Sequence, residues 1–206
     1  MTWRWPVFAV QWSAYPGTLM QGWIAQRRVC SRIVHKVFFN HSQQLNHALS
    51  PARCGFRMLG NHEIMLIYEH FLRLSLRERN MRFSGVVDQE LIYKYCYRRG
   101  KSNPLTVGFF VEHRLRAVGE LFVGSAEKEQ GCCEIALSVE TSYQNQKVGS
   151  MLLKKLLLLA GASGASSVYL FSLQGNTPLQ KISQKHCGII NRSGNQLEIE
   201  IPVCGC

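Results

Sequence analysis

The sequence predicts an α+β fold in which a mixed, mostly antiparallel central sheet is flanked by helices on both faces. Two apolar runs, 106–112 and 116–123, are separated by a tight turn, which is typical of a β-hairpin. Later in the chain, a strand over 134–139, helical spacing over 148–160 and a strand over 168–173 predict a βαβ unit. The two strands of such a unit are parallel, so the sheet combines both pairing modes and has a crevice beside the crossover helix.

Helix caps and apolar spacing place the remaining elements. Asn61 is the expected N-cap of one helix, with Glu63 in its first turn, and Asp88 is the expected cap of a shorter helix. The further predicted segments are a strand over 56–60, a helix over 62–74, a segment over 74–83, a short helix to Tyr95, a loop over 100–104, a hairpin turn around His113 and Arg114, and a final strand over 196–203.

Composition limits the class of protein. A chain of 206 residues with 46% hydrophobic residues can form one domain of ordinary size with an appended segment. No run approaches the roughly 20 apolar residues that span a bilayer, so no transmembrane segment is expected. The formal net charge of +11 could attract nucleic acid or an anionic membrane, and it would equally steer a polyanionic cofactor. Composition alone does not decide between these partners.

Residues 1–54 differ in composition from residues 55–206. No Asp or Glu precedes Glu63, whereas all four tryptophans lie before residue 24. We therefore predict a basic, tryptophan-rich N-terminal extension followed by one domain over 55–206. The extension is interpreted as a loosely ordered segment or translation from an upstream start; a membrane-surface or partner-binding arm and an organelle transit peptide are alternatives.

Cysteine and histidine spacing predicts no metal site. The eight cysteines include no pair of C-x-x-C units, and the seven histidines are scattered through the chain. Most of the cysteines are expected to be free thiols of a reducing compartment, which indicates a cytoplasmic protein.

The segment after the strand over 134–139 contains the most informative motif. Residues 140–145 are polar and end the strand, and a helix is predicted to begin at Val148. The N–H groups of a first helical turn have no partners within the helix, and with the helix dipole they form a site for a pyrophosphate. Gly149 would allow the anion to approach the backbone closely. The amides concerned belong to Gln146, Lys147, Val148, Gly149 and Ser150.

This segment resembles the acetyl-CoA signature Q/R-x-x-G-x-G/A of the GNAT superfamily of N-acetyltransferases, including the strand A-E-I-A-x-x-V that precedes it. Gln144 fills the first position and Gly149 the last, whereas Lys147 occupies the middle glycine position. A lysine there can donate its N–H and add charge toward phosphate, provided that the backbone does not require a positive φ. A second match, to N-x-x-A/M-x-x-L-x-x-K-x-G, begins at Asn176. Its Gly188 comes one residue late, which predicts an irregular helix end.

Over residues 55–203 the chain is similar to bacterial acetyltransferase domains that modify protein lysines. The resemblance implies a GNAT-type fold and direct transfer of an acetyl group from acetyl-CoA to a primary amine, either a protein lysine or a small amine. Since a lysine amine with a pKa of about 10.4 is protonated near pH 7, the reaction needs a general base. Glu134 is the first candidate and Glu120 the second. Each could instead be a solvated edge residue or a structural ion-pair partner.

The resemblance also implies how the cofactor is held. A break in strand pairing would free backbone groups for the thioester carbonyl and the pantetheine amides. Ser183 stands where many relatives have a tyrosine that protonates the leaving thiolate, and water, Tyr143 or His186 could take that role instead. Asn176 would contact pantetheine or cap its helix. The implied cofactor-binding residues are Leu137, Ser138, Val139, Gln144, Asn145, Gln146, Lys147, Val148, Gly149, Ser150 and Asn176.

Two other functions stay open. Lys147 and Ser183 depart from the family pattern, which would fit a catalytically weak acyl-CoA-binding module. The basic extension would fit nucleic-acid or membrane binding, although no specific nucleic acid is predicted. The acceptor amine is expected to contact residues 74–101, where Arg77, Arg79 and Arg82 would either favour an acidic acceptor or form a solvated helix face. The sequence does not encode the oligomeric state.

Overall fold

The computed structural model describes residues 54–124 and 132–203, and of residues 99–102 the backbone alone. The predicted N-terminal extension lies outside the described residues, apart from Cys54, where the first strand begins. The strands are β1 (Cys54–Leu59), β2 (Leu105–Val111), β3 (Arg114–Val123), β4 (Cys132–Val139), β5 (Ser167–Leu173), β6 (Ile189–Ser193) and β7 (Gln196–Pro202). The helices are α1 (Ile64–Arg73), α2 (Leu76–Phe83), α3 (Gln89–Ser102), α4 (Val148–Ala162) and α5 (Thr177–Gln184).

The seven strands form one sheet in the order β1-β2-β3-β4-β5-β7-β6. Among the described strands, only β4 and β5 pair in parallel, and α4 connects them as the predicted crossover. Apolar residues of α4 and α5 pack on one face of the sheet, and residues of α1 and α3 pack on the other. The predicted fold class, a mixed and mostly antiparallel sheet between helices, is confirmed.

The hairpin between β2 and β3 turns one residue earlier than predicted. Glu112 and His113 both have positive φ, at 48° and 66°, so they form the two central residues of the turn. A turn with two consecutive positive φ values has a twist that matches that of the flanking strands, so two-residue hairpins commonly adopt it. Here neither central residue is glycine. Arg114 therefore begins β3 rather than lying in the turn.

Two helix boundaries also differ from the prediction. A 3-10 turn over Asn61–Glu63 precedes α1, so Asn61 lies inside the turn and is not its N-cap. The carboxylate of Glu63 caps the turn instead, since it accepts a hydrogen bond from the Gly60 amide at 2.9 Å. Asp88 does cap α3, accepting from the Leu91 amide at 2.8 Å. This helix continues through most of the predicted 100–104 loop and ends shortly before Pro104, as a proline disfavours helical geometry in the residue before it.

The prediction missed strand β6. It forms an edge hairpin with β7 across a turn in which Gly194 has a φ of 55°. Most of its residues are exposed, including Asn191, Arg192 and Ser193, so the strand has no apolar alternation to reveal it.

Candidate active site

The start of α4 presents a row of unpaired backbone amides. Among the described residues, no acceptor receives the N–H groups of the six residues from Asn145 to Ser150. The first paired amide is that of Met151, which donates to the Lys147 carbonyl at 2.9 Å. These N–H groups lie at the positive end of a 15-residue helix, so this backbone is suited to a phosphate-bearing ligand.

The backbone in front of α4 requires left-handed geometry at two non-glycine residues. Asn145 has a φ of 59° and Lys147 a φ of 63°. Asparagine tolerates this region well, whereas a lysine there is strained by about 1–2 kcal/mol. The proviso attached to Lys147 in the sequence analysis is therefore not met, because its position does demand a positive φ. The lysine keeps its N–H available but occupies a glycine position at an energetic cost.

The position of Gly149 has room for a larger side chain. A Cβ added at this position would lie 3.7 Å from Val139 Cγ2 and 3.9 Å from Ile182 Cδ1, both ordinary contact distances. Crowding by the described residues therefore does not explain a glycine. The open space in front of this backbone fits close approach by a ligand such as a diphosphate.

The side chain of Gln144 links the loop before α4 to β4 and α2 by hydrogen bonds. Its side-chain Nε2 donates to the Val139 carbonyl at 2.9 Å and to Glu78 Oε1 at 2.8 Å. Thr141 Oγ1 donates to the same carboxylate oxygen at 2.7 Å, and Glu78 also belongs to the capping box of α2. The loop that presents the amides is thereby fastened to the end of β4 and to the first turn of α2.

Strands β4 and β5 diverge beside this loop. They pair over only three residues each, the last pair being Glu134 with Tyr169, although β4 continues to Val139. Within the described chain, the edge of β4 from Ile135 onward that faces β5 has no strand partner. The expected break in pairing is present as a divergence of two strands. It leaves the backbone near Leu137 without a strand partner on that side, whereas the Val139 carbonyl accepts from Gln144.

Glu134 is a buried carboxylate at the point of divergence. Its exposed fraction is 8%, and no described residue forms a hydrogen bond with it. Burial raises its pKa to about 8; the positive charge of Arg82 lowers the pKa and the charge of Glu120 raises it. A carboxyl group with this pKa can accept a proton near neutral pH, which is the property that a general base needs.

Glu120 lies diagonally across the sheet from Glu134 on the same face and has different contacts. Its Oε2 accepts from Arg82 Nη2 at 2.5 Å and from the Tyr95 hydroxyl at 2.8 Å. The Arg82 guanidinium lies over the rings of Phe71, Phe83 and Tyr95 at 5.0–5.4 Å. These are the contacts of a structural ion-pair partner, the alternative that the sequence left open. A role for Glu120 as base stays a prediction.

The hydroxyl of Ser138 belongs to a buried hydrogen-bond chain. Its Oγ lies 2.9 Å from His70 Nε2, and His70 Nδ1 lies 3.3 Å from Glu140 Oε1. Burial lowers the pKa of His70, so the ring is neutral at pH 7. Burial raises the pKa of Glu140, but hydrogen bonds from His70, Arg73 and Arg116 outweigh it and bring the value to about 2.

The order Ser138, His70, Glu140 is that of a nucleophilic triad, yet the acid is shared with two arginines, at 2.9 Å and 3.0 Å. We interpret these hydrogen bonds among Ser138, His70 and Glu140 as a structural anchor between α1 and β4. Sequence reasoning missed it. The available signal was a histidine in the apolar stripe of α1, between Ile67 and Phe71, where a polar side chain must find a partner.

The predicted residues of α5 have mixed contacts. Asn176 caps the helix, since its Oδ1 accepts from the Leu179 amide at 3.2 Å, and its Nδ2 donates to Ser172 Oγ at 2.8 Å. Its expected contact with pantetheine stays a prediction. Ser183 is completely buried, and its hydroxyl has no partner in the described chain. The helix ends in a Schellman motif and not in the irregular end that was predicted: the Gly188 amide donates to the Ser183 carbonyl at 3.0 Å, and Cys187 has a φ of 58°.

No group of three or more potential metal ligands occurs within residues 54–124 and 132–203. The cysteines of these segments, Cys54, Cys96, Cys132, Cys133 and Cys187, are free thiols. Over the same residues, no helix has the length and apolar character required to cross a membrane.

A family model described as the acetyltransferase (GNAT) family matches residues 73–189, which is more than half of the chain. The chain belongs to this family. It is therefore an N-acetyltransferase with acetyl-CoA as co-substrate, and the family prediction is confirmed.

Solved structures agree with the fold. The GNAT domain of S. lividans PAT superposes with a TM-score of 0.60 at 14% identity, covering 72% of this chain and 90% of that one. The yncA protein of Salmonella typhimurium, solved with its cofactor acetyl-CoA, gives 0.55 at 10% identity, covering 74% and 95%. The PaiA N-acetyltransferase of Thermoplasma acidophilum, solved in complex with coenzyme A, gives 0.54 at 16% identity, covering 72% and 98%.

Proposed function

We propose that this acetyltransferase acts on a primary amine, of a protein lysine or a small molecule, by direct attack of the amine on the thioester, with Glu134 as the general base. One observation carries the proposal. A buried carboxylate without a hydrogen bond from any described residue, with a pKa raised to about 8, lies where β4 and β5 diverge. Structural ion pairs perturb pKa values too, but Glu134 has no such pair at hydrogen-bonding distance.

The backbone supplies the cofactor site in this proposal. The amides from Asn145 to Ser150 would bind the diphosphate, and the open edge of β4 at Leu137, Ser138 and Val139 would bind the pantetheine amides. Bound acetyl-CoA supplies an activated acetyl group as a thioester. The roles of Gln144 and Gln146 would be structural, since their side-chain amides donate to protein groups, the latter to the Ser142 carbonyl at 2.7 Å.

Protons move as follows in the proposed reaction. Glu134 takes a proton from the acceptor ammonium, directly or through a water, and the free amine attacks the acetyl carbon. A backbone N–H on the open edge of β4 stabilises the negative charge that develops on the carbonyl oxygen. The carbon–sulfur bond breaks, the nitrogen loses its second proton to form the amide, and this proton is passed to the leaving thiolate through water or a nearby hydroxyl such as that of Ser183.

Release of free coenzyme A in the presence of an amine panel tests this function. Glu134→Gln should lower kcat at least a hundredfold while calorimetry shows unchanged coenzyme A affinity. Glu69→Gln, an exposed change on α1, is the matched control and should leave both quantities unchanged. An unaltered kcat in Glu134→Gln would remove the assignment of the base, and no heat with coenzyme A would remove the cofactor site.

A catalytically weak acyl-CoA-binding protein is the second candidate. The strained Lys147 and the buried hydroxyl of Ser183 favour it, since both are poor versions of the family's usual residues. The same assay separates the two candidates, because this one predicts coenzyme A binding without release in the presence of any amine.

The remaining proposals concern partners and location. Binding to nucleic acid or membranes through the extension requires that deletion of residues 1–54 removes a salt-sensitive interaction. A cytoplasmic location is supported by the free thiols of the described cysteines.

A further inference from the structure

The face of the sheet that bears Glu134 continues past β5, which α2 contacts, onto the outer strands β7 and β6. Residues paired across neighbouring strands point to the same face of a sheet. Glu134 pairs with Tyr169, Tyr169 with Glu200, and Glu200 with Ile189. These four side chains form one row that runs from the buried base on β4 to the edge strand β6. The outermost, Ile189, is 60% exposed.

A second row lies beside the first on the same face. Phe171 pairs with Glu198, and Glu198 pairs with Asn191. The three residues line a cavity of about 140 Å³ that Ser84, just after α2, borders from the other side. Phe171 is 37% exposed, an unusual fraction for a phenylalanine on a central strand. The open face therefore combines apolar side chains with a concave surface.

The charge of this face is opposite to that of the chain. The protein has a formal net charge of +11, yet the carboxylates of Glu198 and Glu200 on β7 lie on this face, in the direction of the buried Glu134. Burial raises the pKa of Tyr169, and its hydrogen bond to Glu200 raises it further, so the phenol stays neutral and donates to that carboxylate. The face is thus locally negative.

Two of the three arginines that would favour an acidic acceptor are engaged elsewhere, and the third, Arg77, is exposed on α2. Arg82 is paired with Glu120, and Arg79 donates to the backbone carbonyls of Leu74 and Leu72 at 2.9 Å and 3.1 Å. Both therefore stabilise α2 and its surroundings. The unpartnered, buried Glu134 marks the inner end of the open face as the place where an amine is received.

We propose that the acceptor is an amine that carries a second positive charge, and that Glu198 and Glu200 bind that charge. The inference rests on the proposed function, because it takes Glu134 as the point of proton removal. Strand spacing sets the distance. Glu200 is two strands from Glu134, about 10 Å, and Glu198 is one row further, about 12 Å by the same geometry.

Two sources of such an acceptor share this chemistry. One is a polyamine, whose charges are separated by a flexible alkyl chain. The other is a lysine in an extended basic peptide, where a second lysine four positions away points to the same side, about 13 Å from the first. Phe171 and Ile189 would pack against the apolar part of either acceptor.

Paired acceptors test the inference in the full chain. The first pair is spermidine against butylamine. The second is an extended peptide with lysines four positions apart, which share a face, against the same peptide with alanine replacing the outer lysine. The dicationic member should have a kcat/KM roughly three- to tenfold higher at low salt, and the advantage should shrink as ionic strength rises. Whichever pair shows it identifies the source.

Charge-neutral variants provide the second arm. Glu198→Gln and the double change Glu198→Gln/Glu200→Gln should abolish the advantage by raising KM for the dicationic acceptor only, with kcat and coenzyme A affinity retained. Glu69→Gln on α1 is the control and should keep the wild-type ratio. Turnover of both members at equal efficiency, or a ratio unchanged in the double variant, would overturn this inference alone. Failure of every amine to release coenzyme A would overturn the proposed function as well.

Discussion

Buried carboxylates on one face of the sheet fall into two groups. Under α1–α3, Glu120 and Glu140 each accept hydrogen bonds from arginine, and Glu140 has a pKa of about 2. Glu134 is buried on the same face and has no such hydrogen bond, and its pKa is about 8. The difference shows that burial alone does not make a glutamate structural. With a partner the charge is stabilised, and without one the group becomes a proton acceptor.

Removing Arg82 should have the largest effect on this comparison, because it would take away the positively charged partner of the buried Glu120. Breaking a buried pair from one side leaves an uncompensated charge, so Arg82→Met should lower the free energy of unfolding by about 3–5 kcal/mol. Denaturant-induced unfolding at pH 7 measures this loss of stability. The double change Arg82→Met/Glu120→Gln removes the stranded charge as well and should recover much of the loss. Equal losses in the single and double variants would contradict the pairing.

The activity should increase with pH, because Glu134 must lose its proton before it can act as a base. A base must be deprotonated, so kcat should rise as pH increases through about 8, and it should fall roughly fiftyfold from pH 8 to pH 6. Initial rates of coenzyme A release at saturating acceptor give this profile. The residual rate of Glu134→Gln should lack this limb. A flat profile between pH 6 and 8 in the wild-type enzyme would exclude Glu134 as the titrating base.

Much of the fold follows from local sequence signals, while the partners of the buried charges do not. The βαβ unit, the Asp88 cap and the amides before Val148 depend on neighbouring residues, so sequence reasoning found them. The divergence of β4 from β5 was expected only through the family resemblance. Strand β6 was missed because an exposed edge needs no apolar pattern.

The site residues show the same limit. Glu120 and Glu134 are both glutamates on apolar strands, and only the contact of Arg82 with Glu120, 38 positions apart, distinguishes them. The left-handed φ of Lys147 was equally hidden, because a lysine side chain gives no sign of it. A pairing between distant segments is decided by the tertiary structure, which no local pattern contains.

The anchor between α1 and β4 offers a smaller change on the paired side. Ser138→Ala would leave the buried Nε2 of His70 without its partner and should cost about 1–3 kcal/mol. Ser142→Ala, in the exposed turn, is the control and should stay within about 0.5 kcal/mol. Thermal and denaturant unfolding of both variants at pH 7 measure the difference. Equal stabilities would mean that the hydrogen bond contributes nothing.

The dependence of stability on pH should have opposite signs for Glu140 and Glu134. The folded-state pKa of Glu140 is lowered from 4.5 to about 2, so its stabilisation is complete above 4.5 and is lost as pH falls toward 2. The pKa of Glu134 is raised instead, so its burial disfavours the folded state increasingly as pH rises from 4.5 to about 8. Glu140→Gln should therefore flatten the acid limb of the stability curve, whereas Glu134→Gln should flatten its neutral limb.

The smallest predicted effect concerns the unpaired amides before α4. Lys147→Gly tests whether the main effect of this lysine is backbone strain or its positive charge. Relief of the left-handed strain should contribute about 1–2 kcal/mol, and the greater freedom of glycine in the unfolded chain should offset about 0.4–1 kcal/mol of it. The net gain in unfolding free energy is then about 0.5–1 kcal/mol. Lys147→Ala keeps the strain and should show no gain. Calorimetry with coenzyme A completes the test: if the ammonium binds phosphate, both variants lose affinity, and the glycine variant becomes a more stable protein that binds its cofactor less tightly.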